Sequence, residues 1–75
     1  MKGMEQRTYI IIILDKTYLE GVELYRDIAL AKKSFKAHLR ERGLGLLKTR
    51  KHLKEEFYRD GDWQIQLIKY DGEIK

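Results

Sequence analysis

The feature that most restricts the fold is a run of six apolar residues, Tyr-Ile-Ile-Ile-Ile-Leu, at positions 9–14. β-Branched and aromatic side chains favour extended structure, and an unbroken apolar run is typical of a strand with both faces buried. The run is far shorter than the ~20 residues of a membrane-spanning helix. We therefore predict that residues 8–14 form the central strand of a sheet, covered on both faces or nearly so.

The size of the chain limits what can surround this strand. Its 75 residues, 43% of them apolar, suffice for one small core, so we predict a single domain over residues 1–75. The ends, residues 1–6 and 72–75, are expected to fray. Without cysteine there is no disulfide framework and no thiolate metal site. Asp15 and Lys16 follow the apolar run where a signal peptide would need a cleavage site, so a cytoplasmic location is expected.

A second strand is predicted over residues 21–25, where apolar and polar side chains alternate. It would pair with the first strand as an antiparallel hairpin. Asp15-Lys16-Thr17 has the composition of a turn, and the connecting loop would contain about six residues, more than the commonest hairpin loops.

A helix is predicted over residues 28–42. Asp27 precedes it and can cap it, because its carboxylate can accept a backbone N–H of the first turn. Gly43 stands where helices often end in a left-handed conformation. Apolar side chains recur at helical spacing on one side, as in a helix that lies on a sheet. They are Ile28, Ala31, Phe35, Leu39 and the stem of Arg42.

Residues 46–59 allow two interpretations. As a helix, the segment would place Leu46, Leu53 and Phe57 on one face and end near Gly61. As a strand, residues 55–59 would pair with residues 63–70 across Asp-Gly-Asp, a sequence typical of hairpin turns. The hairpin is favoured, because Asp-Gly here lies between aromatic-rich segments. Residues 63–67 alternate between apolar and polar side chains. Trp63, Ile65 and Leu67 would then face the core.

The predicted fold is therefore α+β: a four-stranded antiparallel sheet with one helix packed on one face, in the order β-β-α-β-β. The order β-β-α-α-β is the alternative.

The charge distribution is uneven. The net charge of +4 combines a neutral segment over residues 1–26, nine basic and two acidic residues over 27–54, and three basic and six acidic residues over 55–75. A basic helix followed by a basic loop predicts a surface that attracts nucleic acid or an acidic protein. The same lysines also suit an ordinary solvated helix face. The predicted binding residues are Lys32, Lys33, Lys36, Arg40, Lys48, Arg50, Lys51 and Lys54.

Aromatic side chains would strengthen a nucleic-acid surface, because bases stack on exposed rings. Tyr18, Tyr58 and Tyr70 are the candidates, although strand aromatics more often pack across neighbouring strands.

No catalytic residue, cofactor or metal ligand is predicted. The histidines, His38 and His52, do not form an HExxH motif, and the sequence contains neither a P-loop nor GxGxxG. Ser34 is the only serine and falls inside the predicted helix, a poor position for a nucleophile.

Three short segments resemble the layout of GIY-YIG nucleases: Thr-Tyr-Ile at 8–10, Tyr-Leu-Glu-Gly at 18–21 and Phe-Lys-Ala-His-Leu at 35–39. The resemblance implies a nuclease, but three departures oppose activity. Glu20 splits the second motif, and Ser34 stands where that family has an arginine. The metal-binding glutamate of the family lies on a helix after the third strand, and no such helix is expected here. Phosphodiester cleavage would lack its charge stabilisation, so a non-enzymatic protein is predicted.

A looser architectural resemblance is to small phage and prophage proteins of unknown role, carried by residues 20–27, 31–33 and 58–67. It implies an accessory protein of viral or mobile-element origin, located in the host cytoplasm. The predicted function is nucleic-acid binding through the basic helix and loop. The alternative is a protein-binding module or inhibitor that acts on a host nucleic-acid-processing complex. Pairing of two copies through an exposed edge strand would make a homodimer.

Overall fold

The structure is a computed structural model that describes residues 7–71. The predicted ends at 1–6 and 72–75 lie outside the described residues. The elements in chain order are β1 (Arg7–Asp15), β2 (Tyr18–Tyr25), α1 (Ile28–Glu41), α2 (Leu46–Glu55), β3 (Phe57–Asp60) and β4 (Trp63–Asp71). The strands form one antiparallel sheet in the order β2-β1-β4-β3. The predicted α+β class and four-stranded antiparallel sheet are confirmed.

The apolar run occupies the middle of the sheet, as predicted. β1 pairs with β2 on one side and with β4 on the other, so that Ile11 lies opposite Glu23 and Leu67. Both neighbours run antiparallel to β1. Its backbone groups therefore have ladder partners on both sides, which suits the least polar segment of the chain.

One hydrophobic core lies between the sheet and the helices. Alternation along β1 and β4 sends every second side chain to this face, and the predicted stripe of α1 packs against them. The inward positions predicted for Trp63, Ile65 and Leu67 are confirmed. The buried apolar residues are Tyr9, Ile11, Ile13, Ala31, Phe35, Leu39, Trp63, Ile65 and Leu67.

The prediction of a single helix is wrong. The ambiguous segment 46–59 forms both structures in succession, a helix and then a strand, so the order is β-β-α-α-β-β. The switch occurs at Glu56, whose left-handed conformation (φ 62°) ends α2. Its N–H bonds back to the carbonyls of His52 and Leu53, while its carbonyl accepts from Leu67 N–H in β4. Each interpretation was right for only part of the segment.

The predicted six-residue loop of the first hairpin is also wrong. The loop contains only Lys16 and Thr17, both with positive φ (53° and 69°), as a tight type I′ turn requires. β2 begins earlier than predicted because the pairing shifts register between Ile13 and Leu14. This bulge interrupts the alternation at the start of β2, so the strand pattern is hidden in the sequence.

Among residues 7–71, helices cover only one of the two faces of β1, although Thr8 on the other face is 4% exposed. Within residues 7–71 the helices lie on the side of Ile11 and Ile13. The side chains of Ile10, Ile12 and Leu14 point to the other side and are half-buried.

Candidate nucleic-acid interface

The two helices form a layer over the sheet, and a few capping and buried side chains hold each helix in place. Asp27 caps α1, with its Oδ1 accepting the N–H of Ala29 at 2.8 Å. Phe35 and Leu39 are fully buried under α1. α2 is held by Thr49, only 2% exposed, and by the partly buried Leu53. With so few inward residues, both helices turn most of their surface to solvent.

The predicted binding residues all lie on this outward surface, and all eight are exposed. Within residues 7–71 none of them forms an ion pair with a carboxylate. Four come from each helix: Lys32, Lys33, Lys36 and Arg40 from α1, and Lys48, Arg50, Lys51 and Lys54 from α2. Eight uncompensated cations on adjacent helices create a positive potential over the whole layer.

Four of the eight cations line one groove between the helices. Lys33, Lys36 and Arg40 line it from α1, and Arg50 lines it from α2. The groove encloses about 280 Å³. Its other lining residues carry no charge: Ala37, Leu46, Thr49 and Leu53. The positive potential of cations above an uncharged floor is stronger than in open water, because the low-dielectric floor screens the charges less than water does.

Two further cations, Lys48 and Lys51, border a wider recess of about 590 Å³ near the loop between the helices. The first residues of α2 also line this recess, and Gly45 caps the helix with no side-chain hydrogen bond. The positive end of the α2 dipole therefore has the same sign as the nearby lysines. Lys32 and Lys54 line neither depression and lie on the flanks of the layer.

Several carboxylates of the acidic segment over residues 55–71 have partners other than the eight predicted binding residues. Lys69 Nζ lies 2.8 Å from Glu56, and Arg42 lies 3.8 Å from Asp60. His52 Nδ1 lies 3.1 Å from Glu55 at the end of α2. None of these partners belongs to the eight predicted binding residues.

A hydrogen-bonded cluster that was not predicted links β2 to α1. The Glu23 carboxylate accepts hydrogen bonds from Ser34 Oγ at 2.5 Å, His38 Nε2 at 2.9 Å and Tyr25 Oη at 2.9 Å. Burial raises the pKa of Glu23, and the hydrogen bonds from Ser34, His38 and Tyr25 lower it. The combined effect of the hydrogen bonds is larger, so the pKa of Glu23 lies below its usual value. Ser34 and His38 therefore position α1 on the sheet.

A signal for this cluster does exist in the sequence. Ser34 and His38 are four residues apart and share one side of α1. Glu23 is the polar residue in the alternation of β2, and Cα pairing with Ile11 places it on the helix side. A polar pair on a helix above an inward carboxylate is recognisable once the sheet face is known.

The three candidate tyrosines are not part of the groove. Tyr18 is 76% exposed in the first hairpin, and Tyr70 is 46% exposed on the far side of the sheet. Tyr58 packs edge-on against His52, with centroids 4.7 Å apart, and lies beside Trp63. Trp63 is buried, with the Arg42 guanidinium 4.3 Å above its ring. The groove therefore offers charge without rings for base stacking.

Two further features are absent from the part of the chain that the structure describes. No group of three or more His, Cys, Asp or Glu side chains there could hold a metal ion. None of the helices within residues 7–71 is long and apolar enough to cross a membrane. Comparisons with protein families, with curated proteins and with solved structures find no match for this chain.

Proposed function

We propose that this protein binds nucleic acid through the helical layer, with the phosphate backbone lying along the groove between α1 and α2. The observation that carries the proposal is the set of eight exposed cations without carboxylate partners within residues 7–71. Four of them converge on one groove. Phosphates would supply the negative charge that these side chains lack within the described chain.

The side chains that line the groove favour contacts to the phosphate backbone of the nucleic acid over contacts to its bases. Lysine and arginine provide its polar contacts, and the tyrosines that could stack on bases lie elsewhere. Such contacts position a strand without selecting a sequence. The affinity would be modest and would fall steeply with salt, with a logarithmic slope of about −3 for three or four phosphates.

The test measures the fluorescence anisotropy of labelled single- and double-stranded DNA and RNA, titrated with the protein from about 50 to 300 mM salt. The double variant K36Q/R40Q removes two charges from the groove. K16Q/R59Q removes two exposed charges outside the helical layer and serves as the matched control.

We expect K36Q/R40Q to lower affinity by about tenfold or more and to reduce the salt slope by about 2, because each lost phosphate contact changes the slope by about 1. The control should change affinity less than about threefold. No binding at about 50 mM salt, or equal losses in the two double variants, would refute the proposal.

A protein partner is the second candidate, and the exposed leucines of the layer favour it. Leu46 and Leu47 are 62% and 77% exposed beside Lys48, and Leu30 is 52% exposed on α1. Apolar anchors ringed by charge are typical of protein interfaces. A stoichiometric partner that survives nuclease treatment of the lysate and is lost on L46S/L47S would establish this function. The viral or mobile-element origin stays a prediction.

A further inference from the structure

The sheet has a second face, opposite the helices, and within residues 7–71 no element packs on it. We call it the bare face. Alternation places on it the even-numbered residues of β1 and β4, together with their Cα partners in β2 and β3. Its apolar members are Ile10, Ile12, Leu14, Leu19, Val22, Leu24, Phe57, Ile68 and Tyr70.

These side chains form one continuous patch, because they are neighbours in the sheet register. Ile10 lies between Leu24 and Ile68, and Ile12 lies next to Val22. Val22 and Leu24 are 50% and 56% exposed. Contiguous apolar patches of a few hundred Å² are often interaction sites.

The bare face is also almost free of charge. Among the strand residues of the described chain it carries no carboxylate, and Arg59 on the edge strand β3 is its charged member. Its other polar side chains are Gln64 and Gln66 of β4 and Thr8 at the start of β1, which is only 4% exposed. An antiparallel sheet that turns one face to water normally shows polar residues there. The bare face instead has the composition of a covered one.

We propose that a second copy of this chain covers the bare face, sheet against sheet, around a two-fold axis. An apolar surface almost free of charge is compatible with its own copy, whereas a surface with many charges of one sign would repel it. Nucleic acid would find no cation at the centre of this face. The amides of Gln66 and Gln64 suit a second copy as well, because each carries both donors and an acceptor and can pair with the same group on its partner.

The available area supports the same conclusion. Strands about 4.8 Å apart that rise about 3.3 Å per residue give the bare face a flat area of roughly 500 Å². Two copies would thus bury about 1,000 Å² before side-chain relief is counted, which is near the lower limit for a specific interface. A dimer of micromolar affinity is the expected form.

The pairing would give β1 the cover on both faces that its unbroken apolar sequence predicts. It goes beyond the proposed function, because it concerns the opposite side of the sheet. It also differs from edge-to-edge pairing, which would leave the bare face exposed. In the dimer the two helical layers would point outward in opposite directions.

The test is analytical ultracentrifugation of the full chain at concentrations from about 5 to 300 µM. We expect the average mass to rise from the 9.0 kDa of one chain towards twice that value. The variant V22K/Q66K places two charges on exposed positions of the bare face. The matched control L30K/L47K places two charges on exposed positions of the helical layer.

We expect V22K/Q66K to weaken association by about 100-fold or more, since it would bury unpaired charges, and L30K/L47K to dimerise like the wild type. Gln66 lies on β4, whose two edges are both paired, so its substitution leaves the free edges intact. The near-isosteric variant Q66E tests the same point if the double variant does not fold.

Three results would overturn the proposal. A wild-type chain that stays monomeric at about 300 µM has no such interface. A dimer that survives both V22K/Q66K and Q66E does not associate through the bare face. A dimer that L30K/L47K disrupts equally uses the helical layer.

Discussion

The two faces of the sheet are built from alternate residues of the same strands, and they differ in both cover and charge. On one face, Ile11 and Ile13 are buried beneath two helices whose outer surface carries eight cations. On the other, Ile10 and Ile12 lie among apolar neighbours without helical cover in the described chain. A single strand thus serves two environments, and the chain separates a polar, positively charged side from an apolar one.

The largest effect is expected when an isoleucine of β1 is shortened, measured as the free energy of unfolding. Two adjacent isoleucines, one on each face of the sheet, provide the comparison. Ile11 is fully buried under the helices, whereas Ile12 is half-buried on the bare face. We expect I11A to cost about 2–5 kcal/mol, because it leaves a cavity in the core. I12A should cost about 1 kcal/mol in dilute solution. Urea denaturation at about 5 µM protein measures both.

The same pair also tests the cover of the bare face. If a second copy packs there, the cost of I12A should grow as the protein concentration rises, because the wild type gains stability from association. The cost of I11A should depend less on concentration. Equal costs for the two variants in dilute solution would contradict the difference between the faces.

The sequence predicted the covered face well because its signals are strong. An apolar run identifies β1, and apolar side chains spaced over two turns identify the buried stripe of α1. α2 carries a much weaker signal, since Thr49 is its only fully buried residue and glycines at 43 and 45 precede it. Its end at Glu56 depends on a left-handed residue that is not glycine, for which sequence offers no clear sign.

For the candidate site, the sequence indicated the eight cations but not their grouping. Which of them line one groove depends on how α2 packs against α1, and Thr49 and Leu53 determine this through tertiary contacts. The bare face was missed for a different reason. The apolar run indicated cover on both sides of the strand. Which side the helices cover becomes clear only when the order of the strands in the sheet is known.

The next effect concerns Glu23, which joins the covered face to α1. Its folded-state pKa lies below the unfolded value near 4.5. The stability it contributes is therefore present above that unfolded value and is lost as pH falls through the lower folded pKa. We expect E23Q to cost about 1 kcal/mol at neutral pH, because a hydrogen bond to a charged acceptor is replaced by a neutral one.

Chemical denaturation of E23Q and the wild type between about pH 7 and pH 3 measures this contribution. The difference between the two proteins should shrink as the pH falls. E41Q is the control, because Glu41 is an exposed carboxylate on the same helix without an ion-pair or side-chain hydrogen-bond partner in residues 7–71. A constant difference for E23Q across this range would show that Glu23 acts through packing instead of charge.

The smallest expected effect is a change in nucleic-acid affinity that distinguishes the groove from the rest of the helical layer. Arg50 lines the groove, whereas Lys54, one turn further along α2, lies outside both depressions. Removing either charge lowers the net charge equally, so a diffuse field would make R50Q and K54Q indistinguishable in nucleic-acid binding. If phosphates lie in the groove, R50Q should weaken binding by about three- to tenfold and reduce the salt slope by about 1, and K54Q should do neither. Anisotropy titrations at three salt concentrations suffice to compare them, and identical slopes would assign binding to the layer as a whole.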